Sequence, residues 1–441
     1  SVDAHRGLAE ALSRNGHHQR ALQGLETAAR RFPDSATLLQ SQGALYARLR
    51  RPGLALECLE KALELEPGNP ETLLNHGICA EQVGDLKAAE TSFQRALVAR
   101  PGFPAAHFHL AHLAVHQPDA NEIASIEAAL ADEPQGQALI DLEFALGKSL
   151  ARIGRHAAAF KAFIRGRQAM ADRSPFDIEM TLSRIRQIGA LPHKVAPPEP
   201  TSLIFIAGLP RSGTTLVDQI LDSHPGARSL GESGLVQRLL QGYSKLLGHP
   251  YGAKATALTE AQRTALAEGL RRDLPSDGRV TVDATPGNLL YLGLLAELLP
   301  EAKFIYCLRD SRDTCVSIIE QPLTGAHGYA NRLEDLGRYC RASFRIGTHW
   351  TETLGNRLHR VHYEELTSEP EATIDKVLTA CQLPPDAACL DFHLNRRPDI
   401  TPSAAQVRQP MSTRSIGRWR HYREFLDPLL RELPQTTFYT P

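Results

Sequence analysis

Leu203-Ile204-Phe205-Ile206-Ala207-Gly208-Leu209-Pro210-Arg211-Ser212-Gly213-Thr214-Thr215 reads as an apolar strand that breaks into a glycine loop and continues as helix-compatible sequence. The first backbone N–H groups of a helix have no intrahelical partner and lie at the positive end of its dipole. Strand, loop and helix start in this order therefore form a cradle for phosphate or sulfate. Gly208 and Gly213 stand five apart, as in a Walker A loop, but Thr214 occupies the position where that loop carries its lysine. A loop that keeps the glycines, lacks the lysine and carries Arg211 suits a transferred group of lower charge than a nucleotide γ-phosphate, such as a sulfuryl group. The same departure, with no convincing Mg²⁺ carboxylate beside it, disfavours a nucleotide kinase.

Downstream, apolar strands at 227–230, 280–283, 303–308 and 358–362 alternate with helical stretches at 215–221, about 288–298 and from 311. Such alternation implies a parallel sheet covered on both faces, with ligands held at the carboxyl ends of its strands. Upstream, Pro33, Pro67 and Pro101 stand 34 residues apart, and the same step links Ala21, Ala55 and Ala89 and then Ala28, Ala62 and Ala96. This is the tetratricopeptide period. Gly43 and Gly77, with Ala9 in the equivalent place, fall where the first helix of a hairpin must approach the second closely. Leu25, Leu59 and Phe93 take the large apolar position opposite.

A degenerate fourth unit is expected at 103–134, interrupted by Gln117-Pro118-Asp119, and a clearer fifth near 138–170 with Gly147, Ala159 and Phe163. The concave face of such an array suits an extended peptide; the alternatives are a rigid spacer or a homodimer contact. Residues 171–190 are expected to cap the array before the proline-rich linker at 191–200. The expected organisation is an α-solenoid of tetratricopeptide repeats over 1–190 followed by a P-loop-like α/β domain with a central parallel sheet over 201–441.

Lys and Arg total 49 against 50 Asp and Glu, so no overall field draws the chain to nucleic acid or an anionic membrane, and any anion site is local. No apolar run reaches the roughly 18 residues of a membrane span, and no signal-peptide pattern opens the sequence. Seven cysteines without paired spacing read as reduced core thiols in the cytoplasm rather than as metal ligands.

Four ordered pieces carry a family resemblance: Pro210-Arg211-Ser212-Gly213-Thr214-Thr215; Ser223-His224-Pro225 with Gly231-Glu232; Lys303 to Asp310 with Ser317; and Tyr363-Glu364-Glu365-Leu366. Together they resemble sulfotransferases that use 3′-phosphoadenosine 5′-phosphosulfate (PAPS), in particular tyrosylprotein sulfotransferases, here fused to tetratricopeptide repeats. The resemblance implies Glu232 as general base, with a helix N-cap or first-turn acid as the plain alternative. It implies that Arg211 and the loop from Pro210 through Ser212, Gly213, Thr214 and Thr215 bind the 5′-phosphosulfate. Arg309 and Ser317 would hold the 3′-phosphate that distinguishes PAPS, and its product adenosine 3′,5′-bisphosphate, from ATP. Tyr363 would lie near the nucleotide or serve as a core aromatic. Ser403 and one of Arg408 or Arg418 would belong to a segment folding over it, and Trp419 would anchor packing. No metal is implied.

One departure stands out. Ala284, in Val282-Asp283-Ala284-Thr285-Pro286-Gly287-Asn288, takes the position of a family lysine that contacts the transferred group. An engineered substitution, recruitment of another cation, and binding without catalysis are three explanations. A second departure concerns the acceptor. Glu232 is followed by Ser233, Gly234 and Leu235, with the first basic residue at Arg238, so the arginine that tyrosylprotein enzymes use to read acidic peptides is not matched. The repeats still favour a polypeptide acceptor, such as protein tyrosine, over a free small molecule. The rival expectation is a catalytically impaired nucleotide-binding scaffold whose repeats bind proteins.

Overall fold

The computed structural model describes residues 1–113, 117–195, 197–395, 397, 401, 404–434 and 436. They fall into two compact units, one of Ser1–Met170 with the described residues of 396–406, the other of Ala171–Asn395 with those of 407–441.

The first unit is helical. Three hairpins pair α1 (Val2–Arg14) with α2 (His18–Arg31), α3 (Ala36–Arg48) with α4 (Pro52–Leu65), and α5 (Pro70–Val83) with α6 (Leu86–Ala99). Local chemistry sets their ends. Pro52 and Pro70 open α4 and α5, where a missing N–H costs nothing; the Asn69 side chain caps α5, and left-handed Gly84 closes it. The small-against-large pairs meet as expected. A Cβ on Gly43 would lie 2.6 Å from Leu59 Cγ, and one on Gly77 only 2.3 Å from Phe93 Cε1. The degenerate region contains α7 (Pro104–Leu113) and α8 (Ala120–Ala131), followed by α9 (Gln137–Arg152) and α10 (His156–Arg173). Here α7 packs chiefly on α9, and α8 also turns to α9. In the last hairpin Gly147 again lies against a phenylalanine: a Cβ there would be 2.4 Å from Phe163 Cε1.

The second unit begins with a correction. Helix α11 (Ile178–Gly189), expected to cap the repeats, buries Ile185 and Ile188 in one core with Leu203, Phe205 and Trp350. Its apolar stripe suits any apolar neighbour, and side chains of the α/β core cover Ile185 and Ile188. The order then runs β1 (Leu203–Gly208), α12 (Thr214–Asp222), β2 (Ala227–Ser229), α13 (Leu235–Leu247), α14 (Glu260–Arg271), β3 (Val280–Asp283), α15 (Leu292–Leu298), β4 (Ala302–Leu308), α16 (Ser311–Ile319), α17 (Leu333–Leu354), β5 (Leu358–His362), α18 (Tyr363–Ser368) and α19 (Pro370–Ala380). A 3₁₀ turn at Pro286–Tyr291 replaces the first part of the helix expected from 288.

Among the described residues the strands form one parallel sheet in the order β2-β3-β1-β4-β5. Strand β1 is central and buried along its whole length. Its residues alternate between two cores: Phe205 faces Phe304, Tyr306 and α15, while Ile204 and Ile206 face Val217, Ile220 and α19. Burial on both faces explains the unbroken apolar run, and it brings the glycine loop to the middle of the sheet's carboxyl edge. No helix among the described residues is long and apolar enough to cross a membrane.

Candidate active site

The loop between β1 and α12 is tightly specified. A Cβ on Gly208 would lie 2.7 Å from Cys307 O, so only glycine lets the loop leave β1 beside β4. Ser212 donates its N–H and its hydroxyl to Leu209 O at 3.2 and 2.7 Å, which closes the turn. Gly213 has φ of 103°, and Arg211 itself is left-handed at 69°. A large non-glycine residue in that region is strained, a condition that clusters at ligand sites.

This conformation sends the Arg211 side chain toward α16, where its Nε donates to Ser317 Oγ at 3.0 Å. Arg309, just past β4, donates to Arg211 O at 3.1 Å and to Ser415 O at 2.6 Å, and its guanidinium lies 4.6 Å over the Tyr363 ring. Tyr363 in turn packs on the loop, 3.1 Å from where a Gly213 Cβ would be. Arg309 Nε is buried and has no hydrogen-bond partner among the described residues. Burial, with Arg309 and Arg418 nearby and Glu320 opposing them, pushes the Arg211 guanidinium down to about 10. Arg418 is held by Glu320 through bonds of 2.7 and 2.9 Å. Three arginines, one of them depressed and one with an unmatched donor, fit a polyanion carrying more than one charged group. Residues expected at opposite ends of the nucleotide, Arg211 and Ser317, thus touch directly.

The turn carrying Glu232, the expected base, lies between β2 and α13, and Glu232 is exposed. Two serines flank it. Ser229 accepts from Gly231 N at 2.8 Å and donates to Asp218. Ser233 accepts from Leu235 N at 3.1 Å and donates to Asp283. Asp283 is fully buried and also takes Asn288 Nδ2 at 2.6 Å and Thr285 N at 3.1 Å. Ala284 is buried and donates its N–H to Gly231 O at 3.0 Å, so the family-lysine position lies beside the Glu232 turn.

Arg238 pairs with Asp273 at 2.7 Å and holds Ser233 O at 3.2 Å. Arg408 donates to Asn395 O, and the charge of Arg418 bears on Arg211. Trp419 is buried, its N–H on Asp313 at 2.9 Å and its ring 4.2 Å beneath Arg312. Ser403 lies outside the described residues. Among the described residues no cluster of His, Cys, Asp and Glu could hold a metal ion.

Sequence reasoning passed over Asp218, Ser229, Ser233, Asp283 and Glu320. The available signal was an acid placed inside an apolar pattern, as at Asp283 ending Val280-Thr281-Val282, since burying a carboxylate requires donors to meet it.

Residues 203–387 match the sulfotransferase family, and residues 36–69 match a tetratricopeptide repeat. An uncharacterized protein of Aquifex aeolicus is 31% identical over 244 residues, covering 53% of this chain and 32% of that one. The protein-tyrosine sulfotransferase of Drosophila melanogaster is 29% identical, covering 49% and 46%. Protein-tyrosine sulfotransferase 1 of Danio rerio is 30% identical, covering 49% and 65%. The chain therefore spans between 32% and 65% of the length of these curated relatives. Glycine loop, arginine group and parallel sheet agree with the match: this chain carries a sulfotransferase-family domain joined to tetratricopeptide repeats.

Proposed function

We propose that the α/β unit transfers a sulfuryl group from PAPS to a hydroxyl acceptor such as a protein tyrosine, and that the repeats engage the polypeptide acceptor or a partner. The observation that carries this reading is the gathering of Arg211, Arg309 and Arg418 at a lysine-free glycine loop, with Arg309 Nε buried and unmatched. PAPS supplies an activated sulfate whose transfer leaves adenosine 3′,5′-bisphosphate.

Arg211 and the N–H groups at the start of α12 bind the phosphosulfate oxygens and meet charge growing on the leaving phosphate. Arg309 and Ser317 hold the 3′-phosphate, and Tyr363 lines the nucleotide. Glu232 takes the acceptor proton as the oxygen attacks sulfur. The names of the Drosophila and zebrafish relatives support a tyrosine acceptor. The engagement of Arg238 by Asp273 speaks against strong reading of acidic residues at that point. Seven free thiols fit a reducing compartment such as the cytoplasm.

Ala284 favours one second reading, a nucleotide-binding scaffold, because a methyl group contributes no charge to the transferred group. Calorimetry with adenosine 3′,5′-bisphosphate and with ATP tests the nucleotide: tighter binding of the bisphosphate supports the proposal, and equal binding sinks it. Transfer of ³⁵S-sulfate from PAPS to tyrosine peptides then separates enzyme from scaffold.

A further inference from the structure

Each serine beside Glu232 passes a backbone N–H of the turn on to a buried carboxylate. One relay runs from Gly231 N–H through Ser229 Oγ to Asp218, the other from Leu235 N–H through Ser233 Oγ to Asp283. They enclose Glu232 from both sides in sequence, and each is rooted in a different element: Asp218 in α12, directly after the glycine loop, and Asp283 at the end of β3. Further bonds brace the roots. Asp222 accepts Ser229 N at 2.7 Å, and Asp283 accepts both Thr285 N and Asn288 Nδ2. The Gly231 carbonyl takes Ala284 N, so the turn's backbone is tied on either side of the exposed Glu232.

A surface turn of Gly231-Glu232-Ser233-Gly234 has no intrinsic stiffness, since glycines flank the acid on both sides. Gly234 is left-handed at 72° and Gly231 at 62°, conformations that a loose turn leaves readily. Buried carboxylates are held to geometry that satisfies them, because leaving one unmatched costs more than an ordinary hydrogen bond.

We propose that Ser229 with Asp218 and Ser233 with Asp283 are positioning pairs that hold the Glu232 carboxylate at a fixed height above the sheet edge, relative to the glycine loop. This rests on the assignment of Glu232 as the base. In this role the four residues act through the turn they hold. The arrangement couples base and cradle mechanically, since α12 both begins at the loop and carries Asp218.

The test uses the full chain carrying Ser229→Ala, Ser233→Ala or Ser233→Thr. Amide hydrogen exchange over 230–236 is read first. Both alanine variants are expected to exchange faster at Gly231 or Leu235, with Ser233→Thr close to the parent because it keeps the hydroxyl. Sulfate transfer is read second. The alanine variants are expected to lose about ten- to a hundred-fold in kcat, the scale of an ångström-sized misplacement, while the KM for PAPS and the bisphosphate Kd stay within about two-fold. Unchanged exchange in both alanine variants overturns the proposal, as does faster exchange with unchanged kcat. A parallel fall in kcat and bisphosphate affinity also overturns it, because that pattern marks general loss of structure. A parent chain that binds bisphosphate but transfers no sulfate defeats the enzymatic reading separately; exchange then decides whether the pairs hold the turn.

Discussion

Arg211 is desolvated beside two other cations, Arg309 and Arg418. Burial beside Arg309 pushes its conjugate acid down from the usual guanidinium range to about 10, so folding disfavours the charged form. For a base with a lowered value that penalty is present in full below about pH 10 and fades as pH rises from there toward the ordinary guanidinium range. Arg211→Gln is therefore expected to raise the melting temperature of the chain measured without nucleotide at pH 7. The same variant should weaken bisphosphate binding by about ten- to a hundred-fold, the worth of one charge-assisted contact of about 1.5–3 kcal/mol. Calorimetry and thermal melts on one preparation check both signs. Ala284→Lys reverses the logic beside the Glu232 turn. If a missing cation limits turnover, kcat is expected to rise by about ten- to a few-hundred-fold. No gain with any hydroxyl acceptor would discard that account. Arg211, Arg309 and Ser317 could be named from the chain because a motif carries them. The Arg211–Ser317 hydrogen bond could not, since 106 positions separate them.

Helix pairs make a different point, that a glycine's meaning lies in what faces it. Gly77 meets Phe93 in the hairpin of α5 and α6, so Gly77→Ala is expected to cost about 1–3 kcal/mol in urea unfolding. Gly24, inside α2, has nothing within 4 Å of a Cβ, and Gly24→Ala is expected to stabilise by about 0.5–1 kcal/mol. Equal effects would mean that the hairpins are not packed as described. The 34-residue step made these pairings legible, since period and residue size together say which side chain fills which gap. Helix α11 carried no such label. Ile185 and Ile188 form an apolar stripe that any apolar neighbour can cover, and its partner is the α/β core.

Over the molecule as a whole, two units with separate cores should answer the nucleotide differently. Adenosine 3′,5′-bisphosphate is expected to slow hydrogen exchange in 208–217 and 308–317 and to leave α1 to α4 unchanged. In a repeat array each hairpin depends mainly on its neighbours, so stabilisation at the arginine group, whose residues all belong to the second unit, should not reach α1 to α4. Equal protection along the chain would contradict this. With 49 basic and 50 acidic residues in the chain, the group of Arg211, Arg309 and Arg418 is a local concentration of positive charge rather than part of an overall basic field.

Local order was readable in advance because it depends on neighbours in the chain: the apolar run of β1, the glycines of the loop and the 34-residue repeat each state their own conformation. What required the folded chain was every pairing between distant segments, such as Asp283 with Ser233, Asp218 with Ser229, Arg418 with Glu320, and α11 with the sheet's core. A serine or an acid looks alike at many positions. Which two meet is settled by strand order and by the need of each buried polar atom for a partner, and neither is expressed by adjacent residues.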